Sequence, residues 1–196
     1  MSLGPDYFDR VYSGAEDPWG FATRWYEQRK YALLLAALPA ASYASALEIG
    51  CSVGVLTDQL AKRCTSLLAL DASRAALETA SARVPPSVEL RLGTVPEDWP
   101  AGSYDLVVLS EVGYYLDRSD LGRLLHLVER DLSPGGTVLA CHWRHPVPDY
   151  PLTGDEVHAA LGRWPRLARI EEEDFLLDVL VPGGAPSVAR RGGLVG

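Results

Sequence analysis

The sequence predicts an α/β protein built on an open, largely parallel sheet with helices on both faces. Three observations carry this. Short apolar segments alternate with segments of helical periodicity along most of the 196 residues, the order that right-handed crossovers between parallel strands require. Leu106–Leu109 is an unbroken apolar run inside the segment 104–110, as expected of a strand covered on both faces. Finally, Ala46–Val55 reads as an apolar strand, an acid near its end, a small-residue turn and a helix start, the arrangement that forms a ligand site beyond the carboxyl end of a parallel strand.

Taken in order, residues 1–22 hold aromatics and turn formers and suggest no regular element. From Thr23 to Leu38 the spacing of Tyr31, Leu34, Leu35 and Leu38 predicts a helix, stopped by Pro39. Ala46–Ile49 is the first expected strand, followed by a helix over 53–63. A second strand over 66–70 ends at Asp71, and Ser73 is placed to cap a helix whose buried face carries Leu77, Ala80 and Val84. Val88–Leu92 and Tyr104–Ser110 are the third and fourth strands. Leu121, Leu124, Leu125, Val128 and Leu132 trace a helix ending in the turn Ser133-Pro134-Gly135-Gly136. A fifth strand over 137–143 follows. Then come a helix marked by Val157, Ala160, Leu161 and Trp164 with Thr153 as its cap, and two strands over 167–172 and 175–181. Residues 1–182 are expected to form one domain, with 1–40 its N-terminal lid and helix. Residues 183–196 are expected to be a loose Gly/Pro-rich tail.

Composition excludes several classes. The formal charge of −8 disfavours nucleic-acid binding, which needs a basic surface. The three cysteines are widely spaced and suggest neither a disulfide framework nor a metal-binding pair. Neither a signal peptide nor an apolar run of membrane-spanning length is evident, so a cytoplasmic location is the expectation.

The strand ends gather the candidate site. The turn residues Gly50, Ser52 and Gly54 let a ligand approach the backbone, but Ser52 stands where a dinucleotide fingerprint has its second glycine. Glu48 beside the turn would repel a pyrophosphate and suits a cationic cofactor. S-adenosylmethionine (SAM), with a sulfonium and an ammonium, is such a cofactor. Asp71, about twenty residues on, can accept both ribose hydroxyls, each charge-assisted bond contributing roughly 1.5–3 kcal/mol; it can equally favour the helix that follows. Ala72, Thr94, Val95 and Ser110 sit at neighbouring strand ends and are expected to face the same cofactor. Glu111, Tyr114 and Tyr115 follow the central strand, where a transferred group would meet its acceptor. They are expected to orient or deprotonate it, or else to serve as a helix cap and core aromatics. His142, Trp143 and His145 follow the fifth strand; His142 or His145 could act as a base, and no metal motif is present. The aromatic, charged cluster from Asp17 to Lys30 could cover the crevice, with Trp19 and Arg29 reaching the cofactor.

These residues resemble the class I SAM-dependent methyltransferases, and more narrowly the nodulation protein S (NodS) branch. The resemblance runs from about Asp17 to Val181. It rests on Asp17-Pro18-Trp19-Gly20, the segment 25–30, the turn 47–54, the segment Ser110-Glu111-Val112-Gly113-Tyr114-Tyr115-Leu116, and 142–146. It implies a Rossmann-like seven-stranded sheet of order 3-2-1-4-5-7-6 with strand 7 antiparallel. It also implies N-methylation of an amine, in the nodulation proteins that of a chitooligosaccharide's terminal glucosamine. Catalytic roles then fall to Glu111, His142 and Tyr115, and acceptor binding to Tyr114, Trp143 and His145. One departure stands out: many members have an acid after the third strand to meet the adenine amine, and this chain has Gly93-Thr94-Val95. A small-molecule O-methyltransferase and a non-catalytic SAM-binding protein are the alternatives. A small-molecule or oligosaccharide acceptor, no nucleic acid, and a monomer or homodimer complete the expectation.

Overall fold

A computed structural model describes residues 1–195. Seven strands form one sheet: β1 Tyr43–Ile49, β2 Cys64–Asp71, β3 Val88–Leu92, β4 Tyr104–Ser110, β5 Leu132–Trp143, β6 Arg166–Glu171 and β7 Phe175–Leu180. Their spatial order is β3-β2-β1-β4-β5-β7-β6, and β7 runs antiparallel to both neighbours. The helices are α1 Pro5–Gly14, α2 Trp25–Ala37, α3 Val55–Ala61, α4 Arg74–Ser81, α5 Arg118–Asp131, α6 Gly154–Leu161 and α7 Val188–Arg191.

Side chains alternate across each strand, so the sheet divides the core in two. Leu106 and Val108 of β4 pack with Tyr31 and Leu34 of α2 and with Leu56 and Leu60 of α3. Val107 and Leu109 point the other way, onto Leu121, Leu124 and Leu125 of α5 and Val157 and Leu161 of α6. All four β4 residues are essentially inaccessible, which is why their sequence shows no polar alternation.

Caps fall where the chain supplies short polar side chains. The Ser73 hydroxyl accepts the Ala76 N–H at the start of α4, and Thr153 and Glu156 form a reciprocal capping box on α6. Asp117, not Glu111, caps α5. Two elements differ from expectation. Residues 5–14 form a helix, opened by Pro5, whose inward face is aromatic rather than aliphatic: Tyr12 packs against Val53 and Ala76. The turn Ser133–Gly136 lies within β5. Leu132 pairs with Tyr104, the chain bulges through Gly135 at φ +75°, and regular pairing resumes at Thr137 opposite Leu106. The Gly/Pro-rich tail contains the short helix α7, capped by Ser187 and with no buried residue. Among the described residues no helix is long and apolar enough to cross a membrane.

Candidate active site

A cavity of about 330 Å³ opens beyond the carboxyl ends of β1, β2 and β4, where an open α/β sheet binds its ligands. Its floor is the β1–α3 turn. Gly50 has φ +73°, and a Cβ there would lie 2.3 Å from Val112 Cγ2; only glycine fits. Ser52 adopts a left-handed φ of +50°. Its N–H donates to Asp71 Oδ2 at 2.7 Å and its hydroxyl lies 2.6 Å from the Tyr12 hydroxyl. Asp71 also accepts the Ser73 N–H at 2.9 Å. Burial pushes the Asp71 carboxyl up to about 6, against the pull of these backbone donors. Gly54 also has positive φ but does not line the cavity; it seats α3 against Ala80 and Val84.

Glu48 is the most constrained acid in the cavity. It is 2% exposed, and burial pushes its carboxyl up to about 8 despite the nearby Thr57 hydroxyl. Its Oε2 has no hydrogen-bond partner. An unpartnered buried carboxyl oxygen beside a glycine turn is an uncompensated cost that a cationic ligand would relieve. The residues present therefore fit SAM: Glu48 and the turn for its amino-acid end, Asp71 for its ribose. Ala72, Thr94, Val95 and Ser110 line the same cavity, as does Trp19, which stacks on Phe21 with ring centroids 5.5 Å apart. The Thr94 hydroxyl and N–H both donate to Asp98 Oδ2, at 3.1 and 2.9 Å, so an acid does stand behind the third strand, four residues past the expected place.

Beyond β4 lies the second half of the cavity. Glu111 sits at φ +57°. Its Oε1 accepts from Lys30 Nζ at 2.7 Å, and its Oε2 from the Tyr114 hydroxyl at 2.6 Å and the Trp143 N–H at 2.9 Å. Lys30, 2% exposed, also lies 2.9 Å from Glu27 Oε2. Tyr115 meets Tyr150 hydroxyl to hydroxyl at 3.3 Å, and Tyr114 stacks on Tyr150 at 4.9 Å. Tyr114, Tyr115 and Trp143 all line the cavity.

Three expected site residues lie elsewhere. Arg29 points away on the outer face of α2, paired with Glu172 at 2.7 Å; the inward positions are Glu27, Lys30 and Tyr31, as i, i+3, i+4 spacing dictates. His145 is exposed and bonded to Asp174 at 2.8 Å. His142 is fully buried behind the cavity wall. Its Nε2 accepts the Gly113 N–H at 3.0 Å, so its proton is on Nδ1, shared with His158 Nε2 at 3.1 Å; His158 Nδ1 in turn donates to Asp178 at 2.7 Å. Burial holds the His142 imidazole far below its ordinary value. It does not line the cavity. Sequence reasoning placed Arg24, Tyr26, Glu27 and Lys30 in a cluster over the crevice without singling them out as site residues, and it passed over Tyr150 of the cavity wall. The usable signal was Glu27 and Lys30 sharing the apolar face of a helix.

Sheet order, the glycine turn and the paired acids Glu48 and Asp71 together define the class: a Rossmann-like fold of the methyltransferase type, with a crevice that fits SAM. Comparison with known proteins agrees. Residues 9–144 match the family described as Nodulation protein S (NodS), and the chain belongs to that family. It is 32% identical over 126 residues to a Nodulation protein S of Rhizobium tropici, across 62% of this chain and 53% of that protein; the match thus spans about half the relative's length. A candidate methyltransferase structure from Pseudomonas syringae is 44% identical, with TM-score 0.72, across 81% of this chain and 99% of that one. The fold also matches N-methyltransferase NodS from Bradyrhizobium japonicum, crystallised with S-adenosylhomocysteine, with TM-score 0.81 at 23% identity, across 91% of this chain and 98% of that one.

Proposed function

We propose that the protein transfers the methyl group of SAM to an amine nitrogen of a small molecule, with the terminal glucosamine of a chitooligosaccharide as the first acceptor to test. One observation carries this reading. The half of the cavity next to the cofactor turn is walled by two buried carboxylates sharing one lysine, Glu27 and Glu111 around Lys30, among flat aromatic faces. Carboxylates among aromatic faces suit an ammonium on a sugar or other compact scaffold. The Bradyrhizobium protein of the same fold is itself an N-methyltransferase, which supports the same choice.

When bound, SAM supplies the electrophilic methyl on its sulfonium. The chain's own work is to hold, orient and dry the reactants. The Gly50 turn and Asp71 fix the cofactor end, Tyr114 and Trp143 offer faces to the acceptor, and Leu3, Phe8, Trp19 and Phe21 cover the mouth. The test is twofold. Calorimetry should show SAM binding that weakens about tenfold or more in Asp71→Ala, from loss of one or two charge-assisted bonds. A methyl-transfer screen with labelled SAM over amino sugars, small amines and phenols should label amines. Labelling confined to phenols would make it an O-methyltransferase, and SAM binding without transfer would make it a sensor.

A further inference from the structure

The two carboxylates of the acceptor wall are not equivalent, and the difference assigns them different work. Glu111 has both oxygens engaged: Lys30 on Oε1, Tyr114 and the Trp143 N–H on Oε2. A carboxylate with three donors is a fixed anchor whose acceptor positions are already engaged. Glu27 is the opposite case. It is 7% exposed and lines the cavity. Its ionic contact is the Lys30 ammonium alone, 2.9 Å from Oε2. The neighbouring Tyr26 hydroxyl, on the same wall, is buried and unpartnered. With a single cation on one of its two oxygens, Glu27 keeps acceptor capacity for a ligand's donor.

We propose that Glu27 is the proton acceptor for the acceptor ammonium, and so a determinant of specificity for amines that enter as cations. The idea rests on the amine reading above. The acceptor R–NH3+ gives one proton to the Glu27 carboxylate and becomes R–NH2. The freed lone pair forms the N–C bond as the C–S bond of SAM breaks and its electron pair passes to sulfur. The N-methylammonium product departs, and Glu27 returns its proton to solvent.

The surroundings suit this exchange. Burial raises the Glu27 carboxyl above its ordinary value, and Lys30 opposes that rise. Around it stand Lys30, Arg24 and Tyr31 along α2 and its N-terminus, Glu111 beyond β4 and Cys141 in β5. Lys30 and Arg24 balance Glu27 and Glu111 in number, but Lys30 lies closer to Glu111, at 2.7 Å, than to Glu27, at 2.9 Å. An entering ammonium would give Glu27 a counter-charge of its own.

The test compares wild type, Glu27→Gln and Glu27→Asp with ethanolamine, glucosamine and chitotriose carrying one free amine. Below the pKa of the free acceptor, Glu27→Gln should lower kcat/KM about 100-fold, within the range of a lost general base. Above that pKa the acceptor arrives deprotonated, and the gap should close to about threefold. Glu27→Asp, which keeps the charge, should show a smaller loss with the same pH dependence, and it serves if the Gln variant does not fold. Calorimetry on the S-adenosylhomocysteine complex gives a second readout: glucosamine binding should weaken in Glu27→Gln only below the same pKa, while S-adenosylhomocysteine affinity stays within about twofold. A wild-type/variant ratio that is flat across pH overturns the role of Glu27 alone. Wild type that binds SAM yet neither binds nor methylates any of the three amines overturns the amine reading with it.

Discussion

Glu48 makes binding of a cationic cofactor a proton-linked event. Its carboxyl is pushed up to about 8 from an ordinary 4.5, so the ligand-free protein holds a proton there at neutral pH. A sulfonium and ammonium placed beside it favour the carboxylate and expel that proton. With a value of about 8, roughly nine-tenths of the protein is protonated at pH 7, so binding should release about 0.9 proton. The apparent Kd for SAM should then fall about tenfold per pH unit between pH 6 and pH 7.5 and level off above about pH 8. Titrations at pH 7 in buffers of different ionisation enthalpy measure the release directly. The same shift acts on folding. Between the ordinary carboxylate range and about pH 8 the folded chain keeps a proton that the unfolded chain has lost, so the free energy of unfolding falls as pH rises through that window. The difference of about 3.5 units corresponds to about 5 kcal/mol at its end. Glu48→Gln should abolish both the proton release and this slope while weakening SAM binding. Proton release near zero in the wild type, or an undiminished release in the variant, would refute the reasoning.

The wall of the cavity gives a paired comparison: Arg29→Ala should leave SAM affinity within about twofold and change stability by under about 1 kcal/mol, since it removes only an exposed ion pair. Arg24→Ala should weaken SAM binding about tenfold, because among the described residues this cavity-lining guanidinium has no carboxylate partner; calorimetry reads both. Asp178→Asn should destabilise the fold by about 2–4 kcal/mol in denaturant melts, by leaving Arg166, Arg169 and His158 facing a neutral amide. Although burial alone would raise Asp178, His158 and Arg169 hold it below its ordinary value. Its contribution is therefore complete above about pH 4 and is lost as pH falls further, an acid sensitivity the variant should lack. Gly54→Ala should lower stability by about 2–3 kcal/mol, from left-handed backbone strain and a Cβ 3.0 Å from Val84.

Sheet order aside, most of the fold was legible because each strand and helix announced its own period. Leu106–Leu109 and the 121–128 stripe are strong signals on their own. Helix α1 was not, because its buried side is made of Tyr7, Phe8 and Tyr12, which tertiary contacts with Val53, Ala76 and Tyr115 alone make into a face. The cofactor half of the site was legible for a local reason: acid, glycine turn and second acid lie within one β-α-β unit. The acceptor half was not, because it is assembled from α2, the loop after β4 and the end of β5. Spacing in the chain could not show that Glu27 and Lys30 turn inward while Arg29 turns out, or that His142 sits one layer behind Trp143. Two adjacent residues of a strand face opposite ways, and motif reading treated them as one cluster.

Glu111, in left-handed backbone, leaves β4 with its N–H bonded to the Cys141 carbonyl, one residue before that buried imidazole. The residue must leave β4 and turn back at once, and no glycine eases the bend. Gly113, two residues on, is moored through its N–H to His142, then His158, then Asp178 on β7. The acceptor loop is thus tethered from behind by α6 and by β7 of the outer hairpin. Variation in that outer hairpin is felt at the acceptor loop as tension on a mooring line, while the cofactor turn, tied to β2 through Asp71, stays slack to it.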